Sequence, residues 1–260
     1  MLGKLIKHEW KAVAKVLAIM HIALVLMAIV GKIMLSIDVL KEAWPMWSAL
    51  LCLYVLSVIA VGVGTHIYLA VRFYKNMYTD EGYLSFTLPV KSWEHIFAKT
   101  MVSSIWILID GVAIAASIII LVMYKGMGTE FLQMWNEFMA EISPVGVWGV
   151  IQFVITAVVS WISIPLTYYF SISIGQLFNS HKMLASVVTY FITINALQVI
   201  STIISAISMM GTMSEMLEEE TVSLSFYSNI LSIGMVEQLV ITVAFWMITD
   251  FIMKRKLNLE

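Results

Sequence analysis

The sequence predicts an all-α integral membrane protein, a six-transmembrane-helix bundle. Three observations carry that prediction. The chain is 61% hydrophobic and 12% charged, with a mean hydropathy of +0.93, whereas a soluble domain has about a quarter charged residues. Long uncharged runs recur along its whole length, so its helices are built to face hydrocarbon. The basic and acidic residues also divide between alternate connecting segments.

Each crossing needs about 20 apolar residues. Six runs meet that length, near residues 16–35, 46–71, 101–124, 145–178, 184–210 and 229–253. An even number of spans puts both termini on one side. With the termini cytoplasmic, the inner segments hold Lys4, Lys7, Lys11, Lys15, Arg72, Lys75, Lys91, Lys99, Lys182, Lys254, Arg255 and Lys256. Of the 15 basic residues only Lys32, Lys41 and Lys125 then fall outside. The acids Asp38, Glu42, Glu130, Glu137, Glu141, Glu215, Glu218, Glu219 and Glu220 all fall outside. The expectation is a multi-pass protein of the cell membrane with both ends in the cytoplasm.

Ahead of the first span, Leu2, Leu5, Ile6 and Trp10 recur at roughly helical spacing among lysines. That pattern suits an amphipathic helix lying in the inner interface before it turns into span one; a plain basic flank accounts for the same residues. No small-residue cleavage site follows, so the segment is read as retained. The fourth run is 34 residues long. As a helix it would reach about 50 Å, against a hydrocarbon core of about 30 Å. It must tilt, kink or project, and Pro165 is the natural kink. The chain shows no internal repeat or long linker and reads as one membrane domain, residues 1–260.

Several chemistries are excluded at this stage. The pairs Gly3–Lys4 and Gly31–Lys32 lack the upstream glycine and the hydroxyl residue of a phosphate-binding loop. There is no His-Glu-x-x-His, no Gly-x-Ser-x-Gly and no cluster of His and Cys at ligand spacing. His8, His21, His66, His95 and His181 are scattered and are read as packing, interfacial or helix-end residues. The single Cys52 cannot form an internal disulfide. No basic patch interleaved with aromatic residues points to nucleic acid. The chain is therefore expected to be no enzyme, with no cofactor or metal of its own.

Polar residues inside the spans are the functional candidates, because hydrocarbon makes each one costly. Asp110 sits near the middle of span three and Glu237 about two turns into span six. Each either fixes helix packing or lines a wet path. Asp250 precedes Lys254 by four residues and reads as an interfacial ion pair. Gln152, Thr156, Ser160, Ser163 and Thr167 share one face of span four, and Asn195 and Gln198 share a face of span five. Such faces let helices approach closely; the alternative is a pathway for a substrate with polar groups.

The most informative loop is TDEGYLSFTLPVKS, residues 79–92. Asp80 is placed to cap a short helix and Glu81 suits its first turn. Pro89 stops it, and Ser92 is placed to cap the next helix. Between them lie Gly82, Tyr83, Leu84, Phe86 and Leu88. The result is a short inner-surface helix with apolar side chains beside acids, a pattern that marks protein contacts; a helix resting on lipid is the alternative.

Glu81, Gly82, Leu84, Leu88, Pro89, Val90 and Lys99 together resemble the loop after span two in permeases of type-two ATP-binding cassette exporters. The six spans, inner termini, basic amphipathic start and extra outer segment before span six are similar to that family's plan. The resemblance implies that residues 79–90 form a cytoplasmic coupling helix between spans two and three, docked on a separate ATPase subunit. That partner would bind ATP and magnesium. It also implies a second permease copy or a sister permease, contact with membrane lipid, and export of a drug, antimicrobial peptide or lipid-like molecule. Two other classes stay open on the residues alone: a proton-coupled secondary transporter using Asp110 or Glu237, and a non-transporting membrane scaffold or sensor subunit.

Overall fold

The computed structural model describes residues 1–36, 44–123, 127–142, 146–218 and 224–255. Asp38, Lys41, Glu42, Lys125, Glu219, Glu220 and Lys256, which enter the charge pattern above, lie outside them. Among the described residues the regular structure is entirely helical. Eight helices follow in order: α1 (Leu2–Ser36), α2 (Trp44–Tyr78), α3 (Asp80–Thr87), α4 (Ser92–Val122), α5 (Met127–Ile142), α6 (Gly146–Gly175), α7 (Lys182–Glu218) and α8 (Leu224–Arg255). Six of them, all but α3 and α5, contain stretches long and apolar enough to cross a membrane.

The chain packs as two compact units. The first comprises Met1–Met77 with Leu84–Gly128, and the second Tyr78–Tyr83 with Thr129–Glu260. In the first, α1 lies along α4. Glu9 meets Lys99, Trp10 meets Trp106 and His21 meets Asp110. Positions rise together along both helices, so the pair is parallel. On α2 the order reverses, with Arg72 at Glu9, Thr65 at Asp110 and Tyr54 at Ser117. The buried stripe of α1 is Val13, Leu17, His21, Leu24 and Ala28, and that of α2 is Val61, Thr65, Leu69, Phe73 and Met77. Both repeat every three or four residues, as one helical face must.

α1 runs from Leu2 to Ser36 without a break. The amphipathic start expected to lie apart in the interface is therefore the first turns of the spanning helix. No proline or glycine interrupts residues 4–30, and Glu9 and Trp10 find partners on α2 and α4.

In the second unit α6 packs chiefly on α8 and then on α7. Gln152 meets Ser232, Ser163 meets Gln238, and Phe170 stacks on Phe245 with ring centroids 4.3 Å apart. This pair too is parallel. α6 passes through Pro165 as one helix and ends at Gly175, shorter than the 34-residue run in the sequence. Backbone bonds from Leu177 to Ile174 and from Phe178 to Gly175 tighten its exit into a turn. The Tyr78 hydroxyl is buried 2.6 Å from Ser173 Oγ.

Residues 127–142, expected as part of an outer connection, form a helix of 16 residues. Met127, Phe131, Met134, Trp135 and Phe138 share one arc, while Glu130, Gln133 and Glu137 share the other.

At Gly175 the backbone of α6 closely approaches that of α7. A Cβ there would lie 2.6 Å from the backbone nitrogen of Ser186 and 2.7 Å from its Cα, and nearer still to its hydroxyl. Gly128, by contrast, has open space around it. Gly175→Ala is expected to cost about 1–3 kcal/mol through overpacking. Gly128→Ala is expected to be neutral, or stabilising by at most about 1 kcal/mol. Unfolding of the purified chain in mixed SDS micelles measures both, and equal stability of the two variants would contradict the close approach.

Candidate functional site

The polar residues of the first unit form three layers. At the end that carries the chain's N-terminus, Arg72 Nε donates to Glu9 Oε1 at 2.8 Å and Lys99 Nζ lies 3.0 Å from Glu9 Oε2. Lys99 also donates to Asn76 Oδ1 at 3.0 Å. Its side chain is 6% exposed, so this is a buried charge held by a carboxylate and an amide. The Trp10 and Trp106 rings stack beside it, 4.9 Å apart.

The middle layer is His21, Thr65 and Asp110. Thr65 Oγ1 donates to Asp110 Oδ1 at 3.2 Å. His21 Nε2 lies 2.7 Å from the same oxygen, close enough for an ion pair though off the line of a hydrogen bond. The other carboxylate oxygen is buried without a hydrogen bond. In the third layer the Tyr54 hydroxyl sits 2.9 Å from Ser117 Oγ, and Lys32 donates to the Met123 carbonyl.

Asp110 is conspicuous in the sequence; its partner His21 is one of five scattered histidines. The signal that could have found it is periodicity. His21 falls in the series Val13, Leu17, His21, Leu24, Ala28, so a ring that needs hydrogen bonds sits on a face otherwise made of aliphatic side chains.

The other pathway candidates lie in the second unit. Gln152 donates to Ser232 Oγ at 2.7 Å and Gln238 donates to Ser163 Oγ at 2.5 Å. Thr156, Ser163 and Thr167 donate to backbone carbonyls of their own helix, those of Gln152, Ser160 and Ser163. Ser160 is half-buried on the same side. The stripe on α6 thus includes the hydrogen-bonded face toward α8. Glu237 accepts from Ser201 on α7. Asn195 and Gln198 are exposed, and Asn195 donates to the Phe191 carbonyl of its own helix. With Phe191, Ile192, Val199 and Ile200 it lines a shallow apolar groove along α7.

The loop helix α3 begins at Asp80, so Asp80 and Glu81 both stand in its first turn, and the Gly82 amide donates to the Thr79 carbonyl at 2.7 Å. The capping position thus falls one residue earlier than expected, because Asp80 itself is helical. Gly82 is buried. Tyr83 and Leu84 are 68% and 72% exposed, and Leu88 is exposed too. Phe86 turns inward, its ring 6.1 Å from that of His95. Pro89 follows the helix, as its missing donor requires. α4 then starts at Ser92, with Lys91 rather than Ser92 before its first turn; Glu94 Oε2 accepts from the Lys91 amide at 2.8 Å. Among the described residues no three His, Cys, Asp or Glu side chains converge as a metal site would require.

The two kinds of ion pair differ sharply in burial. Glu9→Ala would leave Lys99 buried and uncompensated, and a loss of about 3–5 kcal/mol is expected. Asp250→Ala removes a pair whose Lys254 side chain is 51% exposed, and a loss below about 1 kcal/mol is expected. The same micelle unfolding measures both; a Glu9→Ala variant as stable as wild type would mean the layer does not hold the unit together. No family model, no curated protein and no solved structure matches the chain.

Proposed function

We propose that the chain is the membrane-spanning subunit of an ATP-binding cassette exporter of the type-two kind. In this reading both termini are cytoplasmic, and α3 is a coupling helix docked on a separate ATPase subunit that binds ATP and magnesium. A second copy or a sister permease completes the pathway for a drug, antimicrobial peptide or lipid-like molecule.

The observation that supports it best is the geometry of α3. A single short helix lies between two spanning helices and turns Tyr83, Leu84 and Leu88 outward. Asp80 and Glu81 are exposed beside them. An apolar cluster with a charged rim is how a protein-binding surface is built. The connection is also short at both ends. Only Thr79 separates α2 from α3, and four residues separate α3 from α4. A push on α3 is therefore delivered to the ends of two spans. The buried layer at Glu9, Arg72 and Lys99 ties those ends to α1.

The test is co-expression with candidate ATP-binding cassette ATPase subunits. Leu84→Asp and Tyr83→Asp place a charge in an apolar contact and are expected to weaken co-purification and substrate-stimulated ATP turnover at least about tenfold. Expression and monodispersity should stay at wild-type levels, since both side chains face outward. Unchanged co-purification and turnover would remove α3 from the coupling role.

A further inference from the structure

His21 and Asp110 meet in the middle of the first unit with most of their bonding already committed. His21 Nδ1 lies 2.6 Å from the Leu17 carbonyl oxygen. A carbonyl only accepts, so Nδ1 carries a proton. Nε2 faces Asp110 Oδ1 at 2.7 Å, and that oxygen already accepts from Thr65. A neutral ring protonated at Nδ1 would leave an electron-rich Nε2 only 2.7 Å from a carboxylate oxygen with no proton between them. His21 is 8% exposed and Asp110 4%, so water does not screen that repulsion. The contact therefore needs one proton more than a neutral histidine and an ionised aspartate supply. The proton sits on Nε2, giving an imidazolium beside a carboxylate, or on the carboxyl, giving a neutral acid beside a neutral ring. In both forms the pair is neutral as a whole, the state that hydrocarbon tolerates best.

We propose that His21 and Asp110 form a one-proton binding site that latches α1 to α4, and that loss of this proton releases the latch. The proposal does not depend on the exporter reading. The neighbouring ionisable groups are few. On α1 they are Lys15, which is exposed, and Lys32, which donates to the Met123 carbonyl. On α2, His66 follows Thr65 and so projects about 100° further round the helix; Arg72 is engaged by Glu9, and Tyr54 by Ser117. On α4 the charged neighbour toward the helix start is Lys99, held by Glu9 and Asn76. The Trp106 ring, 5.7 Å from that of His21, walls the site with apolar surface.

The latch is read by double electron–electron resonance on the full chain in phosphatidylcholine nanodiscs. Spin labels go at Val30→Cys on α1 and Val122→Cys on α4, both exposed positions, in a Cys52→Ser background. A narrow distance distribution is expected at about pH 6, with a longer component growing toward about pH 9. Asp110→Asn is the decisive variant. Its carboxamide stays neutral at both pH values, and with its nitrogen in the place of Oδ1 it turns one N–H toward Nε2 and the other toward the Thr65 hydroxyl, so the distribution should stay narrow at both pH values. His21→Leu should abolish the pH response whatever the resting distance. Nitrogen spectra of the histidine-labelled chain report the proton itself, and the His21 signal is expected to show Nε2 protonated or hydrogen-bonded at about pH 6. A wild-type distribution unchanged across that range, a pH response that persists in Asp110→Asn, or an Nε2 that is bare and unbonded at the lower pH would each overturn the proposal.

Discussion

Hydrocarbon contains no hydrogen-bond donor or acceptor, so a polar side chain buried in a spanning helix must bond to protein. The rest of the first unit depends on that constraint. Leucine against leucine fixes little, because a lipid tail is as apolar as either. A carboxylate at Glu9, another at Asp110 and a hydroxyl at Ser117 are not interchangeable with lipid. Their partners Arg72, Thr65 and Tyr54 lie in reverse order along α2, and Lys99 and Asp110 rise along α4 with Glu9 and His21 on α1. Three polar layers thereby set the register of three helices. The second unit uses the same device more sparingly, with Gln152–Ser232 and Ser163–Gln238 setting α6 against α8.

Small and hydroxyl residues do complementary work. Thr156, Thr167 and Ser171 return their hydrogen bonds to their own backbone four residues earlier. A face of such residues is slim without leaving a hydroxyl unsatisfied, which is what close helix contact in a bilayer needs. Gly175 takes this to its limit against the backbone of Ser186. α7 has the opposite character: in its most apolar stretch it leaves Phe191, Ile192, Val199 and Ile200 outward. A functional reading of the chain has to reconcile one tightly keyed pair, α6 with α8, with a neighbour whose outer face is unkeyed by this chain.

The legible parts of the candidate site share a cause. α3 could be bounded in advance because Pro89 and the acids at its start act locally, through a missing amide and the helix dipole. Asp110 could be singled out because a carboxylate among isoleucines and alanines is anomalous whatever surrounds it. His21 stands out only by its place on the aliphatic face from Val13 to Ala28, and nothing on its own helix names the carboxylate that faces it. Glu9 and Lys99 were hidden more deeply. Lysines near span ends are expected at the interface, and only a partner on another helix turns one of them into a buried charge. α5 is masked for a different reason: its acids give it the charge of a connecting loop, and its helical character lies only in the spacing of Phe131, Trp135 and Phe138.

By itself the sequence determined the solvent, the number of crossing helices, their approximate ends and which residues would be costly to bury. These follow from composition and from periods of three and four, which are properties of a single segment. Tertiary structure alone decided that the basic start of the chain continues span one, that α1 lies parallel to α4, and that His21 meets Asp110. Those outcomes turn on which helix stands beside which, and residues 89 positions apart in the chain, as His21 and Asp110 are, leave no trace of their pairing in the local pattern of either.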